Sequence, residues 1–259
     1  RPGEVTVWTG RSSAGKSTFL NHVALCAILT RRMVFICSLE VRVETTVRRM
    51  AHASIAKQGQ PRTEANFLMW LQLCGPNIIL TDVVGYIQQD VLFEMMQFAF
   101  HRYGVTHFFI DSLMRVDGLE EDNIAQGKFL NRLQEFVKTT GAHVHLVAHP
   151  GKPKDKDRRV DMLDVKGSSL IINNADNIVV VTRNGDKAAI KKERDLSDDE
   201  EKMHDTEITV EKQRESGWVG TFYLKFNPHD YTFAPCQKYI PPKEEKKPYQ
   251  KNNWNKQRY

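Results

Sequence analysis

The sequence is missing several features that would each have pointed to a different kind of protein. No stretch approaches the roughly 18 to 20 consecutive apolar residues that a membrane span requires. The opening Arg-Pro-Gly-Glu is not a basic stretch leading into an apolar signal core. Neither membrane insertion nor secretion is therefore expected. The 259 residues include only 4 cysteines, Cys26, Cys37, Cys74 and Cys236, and no C-x-x-C pair. This excludes a cysteine zinc site and predicts a reducing compartment. Cys26 and Cys37 fall in apolar stretches, where a cysteine is expected to pack as a small core residue. There is no internal repeat. An initiator Met is also lacking, and the chain opens just ahead of what reads as a strand, so a segment of a longer polypeptide is expected.

An excess of either charge is lacking over most of the chain. The net +5 resides in residues 237–259, with seven Lys/Arg against two Glu, which leaves 30 basic and 30 acidic residues before them. A neutral body argues against blanket polyanion binding and leaves room for local basic patches. With 41% hydrophobic and 27% charged residues, the chain is long enough to bury a substantial core.

Hydrophobic periodicity alternates between short β-rich runs and longer helical stripes, the pattern of an α/β domain with a mostly parallel sheet. Residues 5–8, 34–39, 78–80, 108–110, 144–148 and 178–181 read as buried strands. Between them, Ile87, Val91, Leu92, Met95, Met96, Ala99 and Tyr103 form one helical stripe, and Ile124, Phe129, Leu130, Leu133, Phe136 and Val137 another. Their spacing of three and four predicts core-facing helices, and their Met and aromatic residues are assigned to packing. After residue 187 a charge-dense stretch, 191–205, precedes β-prone segments at 208–212 and 221–226, expected as antiparallel strands closing the sheet. Residues 1–235 are thus expected to form one domain. Residues 236–259, rich in Lys, Pro, Asn and Gln, are expected to be a disordered basic tail.

Chemistry enters at Gly10-Arg11-Ser12-Ser13-Ala14-Gly15-Lys16-Ser17, followed by Thr18, which fits G-x-x-x-x-G-K-S between a strand and a helical stripe. Glycines let the turn approach a triphosphate, and backbone N–H groups with the positive helix end hold its oxygens. Lys16 neutralises β and γ charge, and Ser17 offers a hydroxyl to Mg²⁺. ATP is the expected ligand. A second magnesium partner should end a buried strand, and Asp111 does so after Phe108-Phe109-Ile110. Hydrolysis also needs a group to polarise water. Glu40 stands where the second strand runs out, whereas Glu44 already enters the next helix as a first-turn carboxylate. His149 ends a further apolar strand as a polar sensor. The loop after it carries Lys152, Lys154, Lys156, Arg158 and Arg159, enough charge to meet a phosphate backbone.

In this order, these elements resemble the RecA-like ATPase core of hexameric replicative helicases, the DnaB superfamily and in particular its Twinkle-like and phage primase-helicase branch. The resemblance covers residues 1–235 and implies a RecA-like P-loop fold: a mostly parallel twisted sheet flanked by helices, with antiparallel C-terminal strands. It makes Glu40 the catalytic base, Asp111 the Mg²⁺ partner and His149 the γ-phosphate sensor. It adds Lys166-Gly167-Ser168 as a second DNA-contacting stretch. It also reads Lys212 and Arg214 as a K-x-R element in which Arg214 is an arginine finger reaching a neighbour's γ-phosphate. The implied protein is a hexameric ring translocating 5′ to 3′ on single-stranded DNA, with a primase or polymerase as partner and no membrane. Its implied location is a bacterial or phage-infected cytoplasm, or the mitochondrial matrix for a eukaryotic Twinkle relative. Two rivals are kept: a RecA/RadA-type recombination ATPase forming filaments, and a non-enzymatic nucleotide switch.

Overall fold

Short runs dominated by Val, Ile and Phe, separated by helical segments, can bury both faces only as parallel strands between helical layers. The computed structural model, which describes residues 1–120, 122–151, 160–165 and 168–238, has this arrangement. Six strands run parallel: β1 (Val5–Thr9), β2 (Val34–Ser38), β3 (Ile78–Leu80), β4 (His107–Asp111), β5 (His143–Val147) and β6 (Asn177–Arg183). The interleaved helices are α1 (Lys16–Leu29), α2 (Val43–Lys57), α3 (Glu64–Cys74), α4 (Gln89–Tyr103), α5 (Asn123–Thr140) and α6 (Ser168–Asn174). Two more, α7 (Gly185–Glu193) and α8 (Asp198–Glu201), precede the antiparallel strands β7 (Thr206–Gln213), β8 (Gly220–Asn227) and β9 (Thr232–Cys236). The sheet order is β3-β2-β4-β5-β1-β6-β7-β8-β9. The mostly parallel mixed sheet with antiparallel C-terminal strands is thus as expected.

Two apolar clusters cover the two faces. On one, α4 and α5 bury Leu92, Met96, Phe129 and Leu133 against Val5, Phe108 and Val144. On the other, α1, α2 and α3 bury Leu20, Ala24, Ile28, Met50 and Trp70 against Trp8, Ile36 and Phe109. Each fully buried Leu or Phe contributes on the order of 1.5–3 kcal/mol. Among the described residues no helix is long and apolar enough to cross a membrane.

Several expectations need correction. Val91, Tyr103 and Ile124 are 37%, 49% and 65% exposed rather than core-facing. Ile124 lies in the first turn of α5, a start set by Asp122 accepting from the N–H groups of Ile124 and Ala125 and not by burial. Tyr103 is the last residue of α4 and rests on exposed Phe98. Ile87 is buried but precedes α4, bridging to Val116. Cys26 is exposed because it stands two residues past Ala24, about 200° round α1 from the buried stripe. β9 was not anticipated. Its Thr-Phe-Ala-Pro-Cys is short and holds a proline, which a sheet edge tolerates. The strand takes in Cys236, assigned above to the tail, and residues 239–259 of that tail lie outside the described residues. The charged stretch 191–205 is largely ordered by its own ion pairs. Arg194 forks onto Glu200 at 2.7 Å with both nitrogens, and Ser197 and Glu200 form a capping box for α8.

Candidate nucleotide site

Every residue of β1 is buried, so the chain leaves the sheet interior at Thr9 and must turn sharply to start α1. Gly10 makes that turn at φ +146°, and a Cβ there would lie 2.1 Å from the Val181 carbonyl oxygen of β6. Only glycine fits. Gly15 takes φ +92° at the N-cap of α1, and Ser13 adopts φ +62° within the loop. The first turn of α1 has neither a side-chain cap nor an acidic residue. Its N–H groups are therefore left for an anion. Lys16 is buried and folds back across the loop, its ammonium donating to the carbonyls of Gly10 (2.7 Å) and Arg11 (3.0 Å). Burial pulls its pKa below the ordinary lysine value, against the opposing pull of Asp111 and Glu40.

Parallel strands deliver all their C-terminal ends to one edge of the sheet, and β2, β4, β5 and β1 are consecutive neighbours there. That is why Glu40, Asp111, His149 and the glycine loop, far apart in sequence, meet. Asp111 is buried and accepts a hydrogen bond from the Ser17 hydroxyl. Desolvation raises its carboxyl above the ordinary Asp range, Ser17 opposes the rise and Glu40 adds to it. Ser112, joined to Asp111 by a cis peptide bond, donates from its hydroxyl to Glu40 Oε1 at 3.0 Å. His149 Nε2 lies 3.4 Å and Arg115 Nε 3.8 Å from the same oxygen. Arg115 also sits over the Tyr86 ring, 5.3 Å from its centroid.

The Ser17 hydroxyl and Asp111 carboxylate, side by side, are the hard oxygen donors that Mg²⁺ takes. Among the described residues no group of three or more His, Cys, Asp or Glu could hold a metal alone. The donor set fits an ion that keeps its remaining coordination for phosphate and water. Beside the loop opens a cavity of about 310 Å³, with Ser13, Gly15 and Thr18 on one side and Arg183, Phe226 and Phe233 on the other. A larger, more apolar groove of about 620 Å³ lies between α2 and α3, lined by Val47, Ile55 and Phe67. None of the glycine-loop residues lines it, so size alone does not mark the site.

Lys212 and Arg214 are not brought to this edge. Pairing of Gln213 with Asn177, and of Asn177 with Thr6, puts them beside the start of β1. The loop departs from the other end, about 13 Å away at ~3.3 Å per residue. Lys212 donates to the carbonyls of Ile172 and Ala175, and Arg214 pairs with Asp176 at 3.0 Å. Burial, more than the nearby Arg214, lowers the Lys212 pKa, while Asp176 opposes the shift. Lys152, Lys154, Lys156, Arg158, Arg159, Lys166 and Gly167 lie outside the described residues. So does the Ser168 side chain, although its backbone begins α6.

No sequence motif assigns a role to Ser112, Arg115, Arg183 or Phe226. Ser112 carried the faint signal of standing next to Asp111. Arg183 and Phe226 lie more than 150 residues from the loop whose cavity they line, in no local motif.

A family model described as an AAA domain matches residues 1–155. The chain is similar to the chloroplastic/mitochondrial Twinkle homolog protein of Arabidopsis thaliana, 25% identical over 210 residues, covering 73% of this chain and 29% of that protein. It is also similar to the DNA helicase/primase of Enterobacteria phage T3, 26% identical over 250 residues, covering 85% of this chain and 42% of that protein. The chain thus spans less than half the length of either relative. Among solved structures, one described as an ATPase domain superimposes with a TM-score of 0.73 at 18% identity, covering 92% of this chain and 86% of that one. A DnaB-like replicative helicase, described with its interactions with primase, gives 0.72 at 17% identity, covering 90% and 57%. The fold is that of these ATPase domains.

Proposed function

The chain belongs to the AAA domain family, and from that premise we propose that it is the ATP-hydrolysing motor domain of a DnaB-type replicative helicase. The convergence of Ser17, Asp111, Glu40 and His149 on the uncapped start of α1 carries this reading. The Gly10–Thr18 backbone and Lys16 hold the β- and γ-phosphates. Ser17 and Asp111 hold Mg²⁺, which when bound screens phosphate charge. Glu40 accepts a proton from the attacking water. Its contacts to Ser112, His149 and Arg115 all engage Oε1, which leaves Oε2 to face that water. The cavity beyond Thr18 takes the nucleoside, its base against Arg183 and Phe226.

Arg214 stands at the opposite edge and completes the site of a neighbouring copy, so turnover needs a head-to-tail ring. His149 shares Glu40 with the reacting water and begins the segment holding Lys152, Lys154, Lys156, Arg158 and Arg159. It couples loss of the γ-phosphate to movement of that segment, which with Lys166-Gly167-Ser168 contacts single-stranded DNA. The assembly is a hexamer moving 5′ to 3′, served by a primase or polymerase. It works in a bacterial or phage-infected cytoplasm or a mitochondrial matrix. Steady-state ATPase assays with and without single-stranded oligonucleotide test this: magnesium-dependent hydrolysis stimulated by DNA is expected. A folded chain that binds no adenine nucleotide would overturn the whole reading, and DNA-independent hydrolysis would remove the helicase part.

A further inference from the structure

Lys212 lies near the end of β7 and Arg214 opens the turn that follows it, and both side chains point to the C-terminal end of α6. Both reach the last carbonyls of that helix. Lys212 donates to Ile172 and Ala175, and the Arg214 Nη2 group donates to Asn173 at 2.6 Å, with Ala175 and Asn174 at 3.2 and 3.4 Å. Helix-end carbonyls have no intrahelical partner and attract cations. Asp176 follows immediately and is 7% exposed. Its Oδ1 holds Arg214 Nη1 at 3.0 Å, while Oδ2 accepts from the Val5 N–H at 2.8 Å and from Gln134 Nε2 at 2.7 Å. Backbone bonds from Arg214 to Asp176 and from Asp176 to Val5 fix the same junction. Asp176 is therefore anchored to β1 and α5, and Arg214 is held between that fixed carboxylate and the end of a seven-residue helix.

The Arg214 side chain nonetheless stays 44% exposed. Its two terminal nitrogens already serve Asp176 and the α6 carbonyls, so turning them to a neighbour's phosphate means giving up these partners. Asp176 and a γ-phosphate are rival anions for one guanidinium. We propose that Asp176 is a positioning residue that parks Arg214 against the end of α6, and that displacement of α6 frees the arginine for the neighbouring site. This rests on the reading of Arg214 as a trans-acting finger. The same reading brings single-stranded DNA to the assembly, and that strand is the occupant that displaces the helix.

Asp176→Asn in the full chain keeps an acceptor for Val5 and removes the charge that retains Arg214. Its ATPase without DNA should rise about ten-fold, the factor for losing one charge-assisted contact. Stimulation by an oligothymidylate should fall towards one, with nucleotide affinity unchanged. Equal losses with and without DNA, leaving the stimulation ratio at the parent value, would mark Asp176 as structural only and overturn the proposal. If the variant does not fold by circular dichroism, hydrogen exchange on the parent decides. Faster exchange of the Arg214 and Ala175 amides on adding the oligonucleotide is expected, and unchanged exchange refutes it. Arg214→Ala separates the two layers. If that variant is as active as the parent, the finger itself is wrong; if it is inactive while Asp176→Asn keeps the parent ratio, only the parking role fails.

Discussion

The two ends of β1 carry charge in opposite ways. At its C-terminal end buried Lys16 and Asp111 lie close to the more exposed Glu40, and Lys16 and Asp111 are shifted away from their ordinary pKa values. At its N-terminal end Lys212 and Arg214 spend their donors on the carbonyls of α6 and on Asp176. The first set is assembled by one chain because parallel strands end together. The second is held by contacts that a stronger anion can replace. In the proposed function the two edges complete one site between copies, and the difference predicts which substitutions act across a boundary.

The largest effect should come from breaking the far edge. In the assembled protein Arg214→Ala is expected to lower ATP turnover by ~10³ to 10⁵ while leaving nucleotide binding nearly intact. Mixing it with Lys16→Ala chains should restore activity at interfaces that pair an intact loop with an intact arginine. Turnover at the parent level in the single variant would erase the contrast between the edges. Next is the near edge, where Glu40→Gln keeps the size and an oxygen to accept from the Ser112 hydroxyl but loses basicity. A fall of about 10² to 10⁴ in turnover, measured in single-turnover assays at saturating ATP, is expected.

A smaller effect separates the buried middle from both ends. His107, His143 and His145 stack across β4 and β5, with ring centroids 4.3 Å apart for His143 and His145. Trp8 donates to His145 at 3.2 Å. Desolvation lowers the His143 pKa to about 4, and it holds His145 well below the ordinary histidine value, with His143 and His107 adding to the shift. The folded form binds these protons less readily than the unfolded chain, so stability is complete above the ordinary histidine value near 6.5. It is lost as pH falls from about 6.5 through 4. His145→Gln should flatten that acid limb in thermal melts taken across this range, and an unchanged limb would shift the acid sensitivity to the carboxylates of the site. The smallest effect belongs to the surface: Ile124→Ser at the exposed start of α5 should change stability by no more than ~0.5 kcal/mol in urea titration.

How much was legible beforehand differs by element. The six parallel strands could be read because each is a short apolar run, and Gly10–Ser17 because its chemistry is local and contiguous. Asp111, Glu40 and His149 could be placed at strand ends, but the meeting of Ser112 and His149 at Glu40 Oε1, with Asp111 close by, depends on β2, β4 and β5 being neighbours, which no spacing along the chain encodes. β9 stayed hidden because five residues with a proline carry no alternation signal. Ile124 misled because a residue in register with a helical stripe can still lie in a turn fixed by its cap.

Sequence alone determined the glycine loop, the placing of Glu40 and Asp111 at strand ends and the alternation of strand and helix, since each follows from residue types at short, fixed separations. Tertiary structure alone decided that Ser112 and Arg115 join Glu40, that Arg183 and Phe226 line the cavity beside the loop, and that Arg214 lies against α6 and Asp176 at the opposite edge. Those relations come from strand order and from the direction in which each strand runs, and such long-range pairings leave no mark in local spacing.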